Sequence, residues 1–143
     1  MTEPPPLEKR EYGPDGSEAD HEALRSQLYW HSPGIVMYRE APVITMHQLA
    51  VYHERLGELA AEVEEFQMLV DIRIASMPTA EQRAKLREMY GNQSNLTDAA
   101  AITGRNFVIN IAAKFVLGGS GLKSFSVHRT LEQALEALRA AKS

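Results

Sequence analysis

The feature that most constrains the fold is an alternation that begins at Gly34. Short runs rich in β-branched and apolar residues are separated by longer runs in which apolar residues recur with the period of a helix. The order of these runs predicts the pattern ββαβαβαβα. Because strands separated by helices pair in parallel through right-handed crossovers, we predict an α/β domain with about five strands in one mostly parallel sheet.

The strands and helices are predicted from local signals. Glu40-Ala41-Pro42 is typical of a tight turn and predicts a hairpin of the first two strands. In the third helix, Phe107, Ile111 and Phe115 recur every four residues and are expected to pack against the sheet. Thr130 is predicted to cap the last helix. The predicted strands are 35–38, 43–45, 68–72, 99–102 and 124–127, and the helices are 46–66, 80–90, 105–117 and 130–141.

The N-terminal part of the chain has a different composition. We divide the chain into an acidic, Pro- and Gly-containing tail over residues 1–30 and the α/β domain over residues 31–143. Residues 1–17 contain few apolar side chains and are expected to be disordered. A short helix is predicted from Ser17, and Tyr29 and Trp30 are expected to anchor the tail to the domain.

The distribution of charge excludes one class of partner. Residues 1–25 carry seven acidic and three basic side chains, so the whole formal net charge of −4 lies in this segment. The remaining residues are neutral overall, and broad nucleic-acid binding normally requires a basic surface. We therefore expect no nucleic-acid partner.

Cofactors, targeting and location are predicted from absences in the sequence. The chain has no cysteine, and His47 and His53 do not share a helix face as a pair of metal ligands would. We expect no metal and no cofactor. No secretory signal and no apolar run of membrane-spanning length is apparent, so we expect a cytoplasmic protein without a membrane span.

Three segments resemble the STAS (anti-anti-sigma-factor-like) domain family, in particular its divergent bacterial branch related to the CRAL-TRIO lipid-transfer fold. The segments are Gly34-Ile35-Val36 with Pro42-Val43-Ile44-Thr45, then Leu69-Val70-Asp71, and finally the run 127–135. The resemblance covers about residues 33–141. It implies a domain that binds protein partners, in some members under control of Ser or Thr phosphorylation. Asp71 matches the family's Asp at a strand end, and Ser76 and Thr79 follow it, although no Asp precedes either.

The candidate binding site lies where strands end and helices begin, the edge at which α/β domains meet ligands. Loops 73–79, 103–106 and 128–130 are expected to leave this edge together. Their helix N-termini and guanidinium groups favour an anion or a phosphopeptide. The candidate residues are Arg73, Ser76, Thr79, Arg105, Asn106 and Arg129, of which Ser76 and Thr79 are also candidate phosphorylation sites. The alternative is a purely structural role, in which Thr79, Asn106 and Thr130 are helix caps and the arginines are solvated.

A second candidate surface is an acidic stripe along the helix 46–66, formed by Glu54, Glu58, Glu62 and Glu65. Such a stripe is usually a solvated helix face, but it also suits a basic partner. Neither a strained nucleophile elbow nor a catalytic Cys is present, so we expect no enzyme. The sequence predicts a non-enzymatic, signalling-related regulatory module that binds a protein partner, with a small-ligand or lipid carrier as the alternative. It leaves open whether the chain forms a homo-oligomer.

Overall fold

The computed structural model describes residues 3–106, 109, 113–114, 116, 118, 121–122 and 124–142. Within these residues no helix is both long enough and apolar enough to cross a membrane. The helices are α1 (Glu18–Arg25), α2 (Met46–Ala60), α3 (Ala80–Gly91) and α4 (Leu131–Lys142). The strands are β1 (Leu28–Ser32), β2 (Ile35–Arg39), β3 (Phe66–Asp71), β4 (Leu96–Ile102) and β5 (Ser124–His128).

The five strands form one sheet in the order β1-β2-β3-β4-β5. β1 pairs antiparallel with β2, and the other three neighbouring pairs are parallel. The predicted α/β class and the mostly parallel five-stranded sheet are therefore confirmed. All four strands from β2 to β5 run in the same direction, so their carboxyl ends meet at one edge of the sheet.

The predicted first hairpin is wrong in its position. The hairpin joins β1 to β2, with Leu28 opposite Tyr38, and Gly34 makes the turn at a φ of 80°. The stretch 43–45 is not a strand. Thr45 caps α2 instead, because its hydroxyl accepts from the Gln48 N–H while the Gln48 side chain accepts from the Thr45 N–H. This capping box outweighs the local β propensity. The boundary drawn at residue 30 consequently falls inside β1.

The expectation of disorder over residues 1–17 is wrong for the described part. Residues 3–12, which we call the strap, lie on the domain, and Leu7 and Tyr12 are only 9% and 3% exposed. The Tyr12 carbonyl accepts a 2.7 Å hydrogen bond from the Thr45 hydroxyl. The predicted short helix is α1, capped by Ser17. Two buried side chains and the low chain entropy of consecutive prolines suffice to order the segment.

The core has two layers, one on each face of the sheet, because successive strand residues point to opposite faces. One face packs Val36, Tyr38, Met68 and Val70 against α2 and α3, and the other packs Met37, Leu69 and Ile102 against α4. Between β4 and β5, Ile109, Ala113 and Val116 are helical and buried on the first face. The predicted contacts of Phe107, Ile111 and Phe115 lie outside the described residues.

Candidate functional site

Three arginines from three loops meet at the carboxyl edge of the sheet. Arg73 follows β3, Arg105 follows β4 and Arg129 follows β5, and all three line one open cleft of about 630 Å³. The first turn of α4 completes the wall with Leu131, Glu132 and Gln133. We call this the arginine cleft. Glu132 lines the cleft together with the three arginines, so the lining carries charges of both signs.

Backbone contacts between the loops fix the spacing of these arginines. Thr103 N–H donates to the His128 carbonyl at 2.8 Å, and Gly104 N–H donates to the Arg129 carbonyl at 3.1 Å. These bonds extend the pairing of β4 and β5 beyond the strands. Gly104 adopts a φ of 59°, and a Cβ there would lie 3.2 Å from the Cγ of Arg73. The positive φ favours glycine at the turn, and a side chain there would press on that of Arg73.

Arg73 is held by the carboxylate at the end of β3. Its Nε and Nη2 donate to the two oxygens of Asp71 at 2.9 and 2.8 Å. These hydrogen bonds raise the pKa of Arg73. A bidentate pair orients the guanidinium but leaves its outer edge exposed. Asp71 thus positions Arg73 at the wall of the cleft, while part of its charge is already balanced.

The N-terminus of α4 faces the same cleft. The Thr130 hydroxyl accepts from the Gln133 N–H at 3.2 Å, and the Gln133 side chain accepts from the Arg129 N–H at 3.2 Å. The alternative role of Thr130 as a helix cap is therefore what the structure shows. The end of the helix adds partial positive charge to the cleft.

The other three candidate residues lie elsewhere at this edge. Ser76 is exposed in the β3–α3 loop, and Thr79 caps α3 through a capping box with Gln82. Asn106 donates a 3.1 Å hydrogen bond to the Ala75 carbonyl and so ties the β4 loop to the β3 loop. None of the three lines the arginine cleft. Their geometry is that of a solvated loop, a helix cap and a loop tie.

The acidic stripe is not a continuous helix face. α2 ends at Ala60, so Glu62 and Glu65 follow the helix, and only Glu54 and Glu58 lie on it. Glu58 binds Arg25 at 2.5 and 2.9 Å and Arg55 at 3.2 Å. The hydrogen bonds from Arg25, more than those from Arg55, lower the pKa of Glu58 to about 2. The predicted stripe is too long because the spacing of the glutamates continues with a helical period to Glu65, whereas the helix itself ends at Ala60.

A second cleft of about 310 Å³ lies beside the arginine cleft, between the strap and the ends of β2 and β3. Pro6 and Leu7 of the strap form one side, and Arg39, Asp71 and Arg73 lie across from them. We call it the strap cleft. Arg73 lines both clefts, so the two form neighbouring parts of one surface.

The sequence analysis missed one ionisable group, Glu40, which directly follows β2 and was assigned only to a turn. It is 5% exposed, and its Oε1 has no hydrogen-bond partner among the described residues. Burial raises its pKa to about 8. It lines a mostly apolar cavity of about 30 Å³ with residues such as Tyr90 and Ile109, and it also lines the strap cleft. The signal in the sequence that could have indicated its burial is its position between an apolar strand and Ala41-Pro42.

Within the part of the chain that the structure describes, no cluster of three or more His, Asp or Glu side chains is arranged to hold a metal ion. In comparisons with known proteins, no family model, curated protein or solved structure matches the chain. The resemblance to the STAS family therefore stays a prediction.

Proposed function

We propose that this protein is a non-enzymatic regulatory module that binds a protein partner, and that the arginine cleft receives an anionic group of that partner. The observation that carries the proposal is the convergence of Arg73, Arg105 and Arg129 from three separate loops on one open cleft at the end of a helix. Guanidinium groups in a fork geometry suit carboxylate and phosphate groups.

The carrier alternative has less support. A lipid or drug-sized ligand needs a pocket of roughly 300–1,000 Å³ that encloses most of its surface. The mostly apolar cavity beside Glu40 measures about 30 Å³, and the larger clefts are lined in part by charged side chains. This cavity is thus far smaller than a lipid-sized cargo needs.

An enzymatic function has one local feature in its favour, a 2.6 Å contact between His128 Nε2 and Ser126 Oγ on β5. Alternate residues of a strand share a face, so such a contact arises without any functional demand. A serine nucleophile also needs a group that orients the histidine. No carboxylate of the described residues hydrogen-bonds His128, so the pair lacks that group.

The biological setting is proposed from the STAS resemblance, which implies a bacterial signalling protein, and the cytoplasmic location is the expectation from the sequence alone. Of the two candidate phosphorylation sites, Ser76 fits better, because its hydroxyl lies in an exposed loop. Thr79 is exposed too, but its hydroxyl caps α3, and a phosphoryl group there would remove that cap.

A peptide array tests the proposal. It displays phosphoserine, phosphothreonine and clustered Asp or Glu peptides, each beside its uncharged counterpart, and is probed with the full chain. We expect binding to charged peptides only, and at least a tenfold loss of affinity for R105E/R129E. The matched control K114E/K142E makes the same change in net charge at two exposed lysines outside the cleft and is expected to bind normally. No preference for charged peptides, or equal losses in both variants, contradicts the proposal.

A further inference from the structure

The strap is attached to the domain mainly through its backbone carbonyls. Arg39 Nη2 donates to the carbonyls of Pro4 and Pro5, and Gln27 Nε2 donates to that of Pro5 at 3.0 Å. Prolines have no N–H, so the backbone of an extended proline segment offers only hydrogen-bond acceptors. Donors such as Arg and Gln side chains bind its carbonyl groups. The buried Leu7 adds one apolar anchor. This is the way in which an extended, proline-containing peptide is bound.

The charge of the strap opposes that of the surface beneath it. Within the strap, Glu3, Glu8 and Glu11 outnumber Lys9 and Arg10 by one, whereas the neighbouring clefts contain four arginines against Glu40, Asp71 and Glu132. Glu3 lies close enough to Arg73 to act on it: the pKa of Arg73 is raised chiefly by Asp71, and Glu3 adds to the rise. An acidic group of this chain is therefore already near the wall that both clefts share.

We propose that the strap is a built-in competitor, and that the partner segment which displaces it is, like the strap, extended, proline-containing and acidic. This inference rests on the proposed function, since it assigns the regulation and the partner class of the same surface. Displacing the strap uncovers Arg39 and extends the row of guanidinium groups from Arg129 to the end of β2. A partner then binds with an apparent affinity reduced by the fraction of molecules in which the strap is closed.

The test measures the binding of a fluorescent peptide, with the sequence of residues 3–12, to the full chain. Binding is followed by the fluorescence anisotropy of this probe at low ionic strength. The variant E3Q/L7A loosens the strap at one charge and one apolar anchor. We expect it to bind the probe at least tenfold more tightly than the unmodified chain. Adding R39Q to that variant is expected to remove the gain, because the carbonyls of Pro4 and Pro5 lose their donor.

Two controls keep the result interpretable. E3Q alone changes only an exposed side chain, so folding is preserved, and a gain of about threefold is expected by the weaker competition alone. D15N removes an exposed acid that lies outside the strap and is expected to leave affinity for the probe unchanged. Equal probe binding by the unmodified chain, E3Q and E3Q/L7A overturns the inference. The peptide array decides the proposed function separately, because its readout depends on Arg105 and Arg129.

Discussion

The two ends of the sheet both carry polar side chains, but they use them in opposite ways. At the amino end, Asp98 is buried and accepts hydrogen bonds from Gln67 at 3.1 Å, Thr97 at 2.7 Å and Ser124 at 2.5 Å. Gln67 also donates to the Leu138 carbonyl at 2.9 Å. This network joins β3, β4, β5 and α4, and its polar groups bond one another rather than an external molecule.

At the carboxyl end, the charged groups point into open clefts. Arg73, Arg105 and Arg129 lie on loops, and all three are exposed. A buried, mutually bonded network stabilises the fold, whereas exposed cations on loops contribute little to it. The comparison teaches that burial, not residue type, separates the polar residues that stabilise this fold from those exposed at its carboxyl edge. Glu40 is the exception, a buried acid at the open end.

The largest effect is expected at that exception. Because the folded pKa of Glu40 is raised to about 8, the unfolded chain releases this proton at lower pH than the folded one, and the group destabilises the fold as pH rises from about 4.5 to 8. Between pH 5 and pH 9, E40Q is expected to gain roughly 4 kcal/mol in unfolding free energy relative to the unmodified chain. Urea titrations at both pH values measure it.

The control for Glu40 is E8Q, an exposed acid of the strap, which is expected to show no such pH dependence. A difference between E40Q and the unmodified chain that stays constant from pH 5 to pH 9 would mean that Glu40 is not buried as described.

The second largest effect is expected at the amino end of the sheet, in the buried network around Asp98. D98A removes the carboxylate that accepts hydrogen bonds from Gln67, Thr97 and Ser124. The loss should lower the unfolding free energy by about 3 kcal/mol. S124A removes a single donor and should cost about 1 kcal/mol. Equilibrium denaturation compares both with R105A at the open end, which is expected to fall within about 0.5 kcal/mol of the unmodified chain. If R105A lowered the unfolding free energy as much as D98A does, the amino and carboxyl ends of the sheet would not differ in their contribution to stability.

The smallest effect separates the two candidate phosphorylation sites. T79A removes the cap of α3 and should cost about 1 kcal/mol of stability. S76A changes an exposed loop hydroxyl and should leave the thermal midpoint unchanged. Calorimetry of the two variants side by side is sufficient, and a loss in S76A that matches the loss in T79A would show that the loop is not solvated as described.

Elements with local start and stop signals were predictable from the sequence. The helix predicted over 80–90 is α3, which spans Ala80–Gly91, because Pro78-Thr79 and Gly91-Asn92 mark its ends in the sequence. β4 begins three residues before its prediction. Asp98 is a poor strand residue by propensity, and hydrogen bonds from Gln67 of β3 and Ser124 of β5 keep it in the strand. No local pattern reveals these bonds.

The convergence of the three arginines also followed from sequence, since parallel strands bring their carboxyl ends to one edge. The strap and Glu40 did not follow. The strap is ordered by Arg39, Gln27 and Thr45, which lie far from it along the chain. Glu40 is buried by packing around the end of β2. Both features depend on tertiary contacts, and composition indicated the opposite for the strap.

The most direct test of the contrast between the two ends is an NMR titration of the ¹⁵N-labelled full chain with a phosphoserine peptide, beside its unphosphorylated form. We predict that the backbone amides of Gly104, Arg105, Arg129 and Thr130 shift with the phosphopeptide alone, and that those of Gln67, Asp98 and Ser124 do not. Shifts centred on the amino end of the sheet, or equal shifts with both peptides, would contradict the assignment of the carboxyl end as the binding surface.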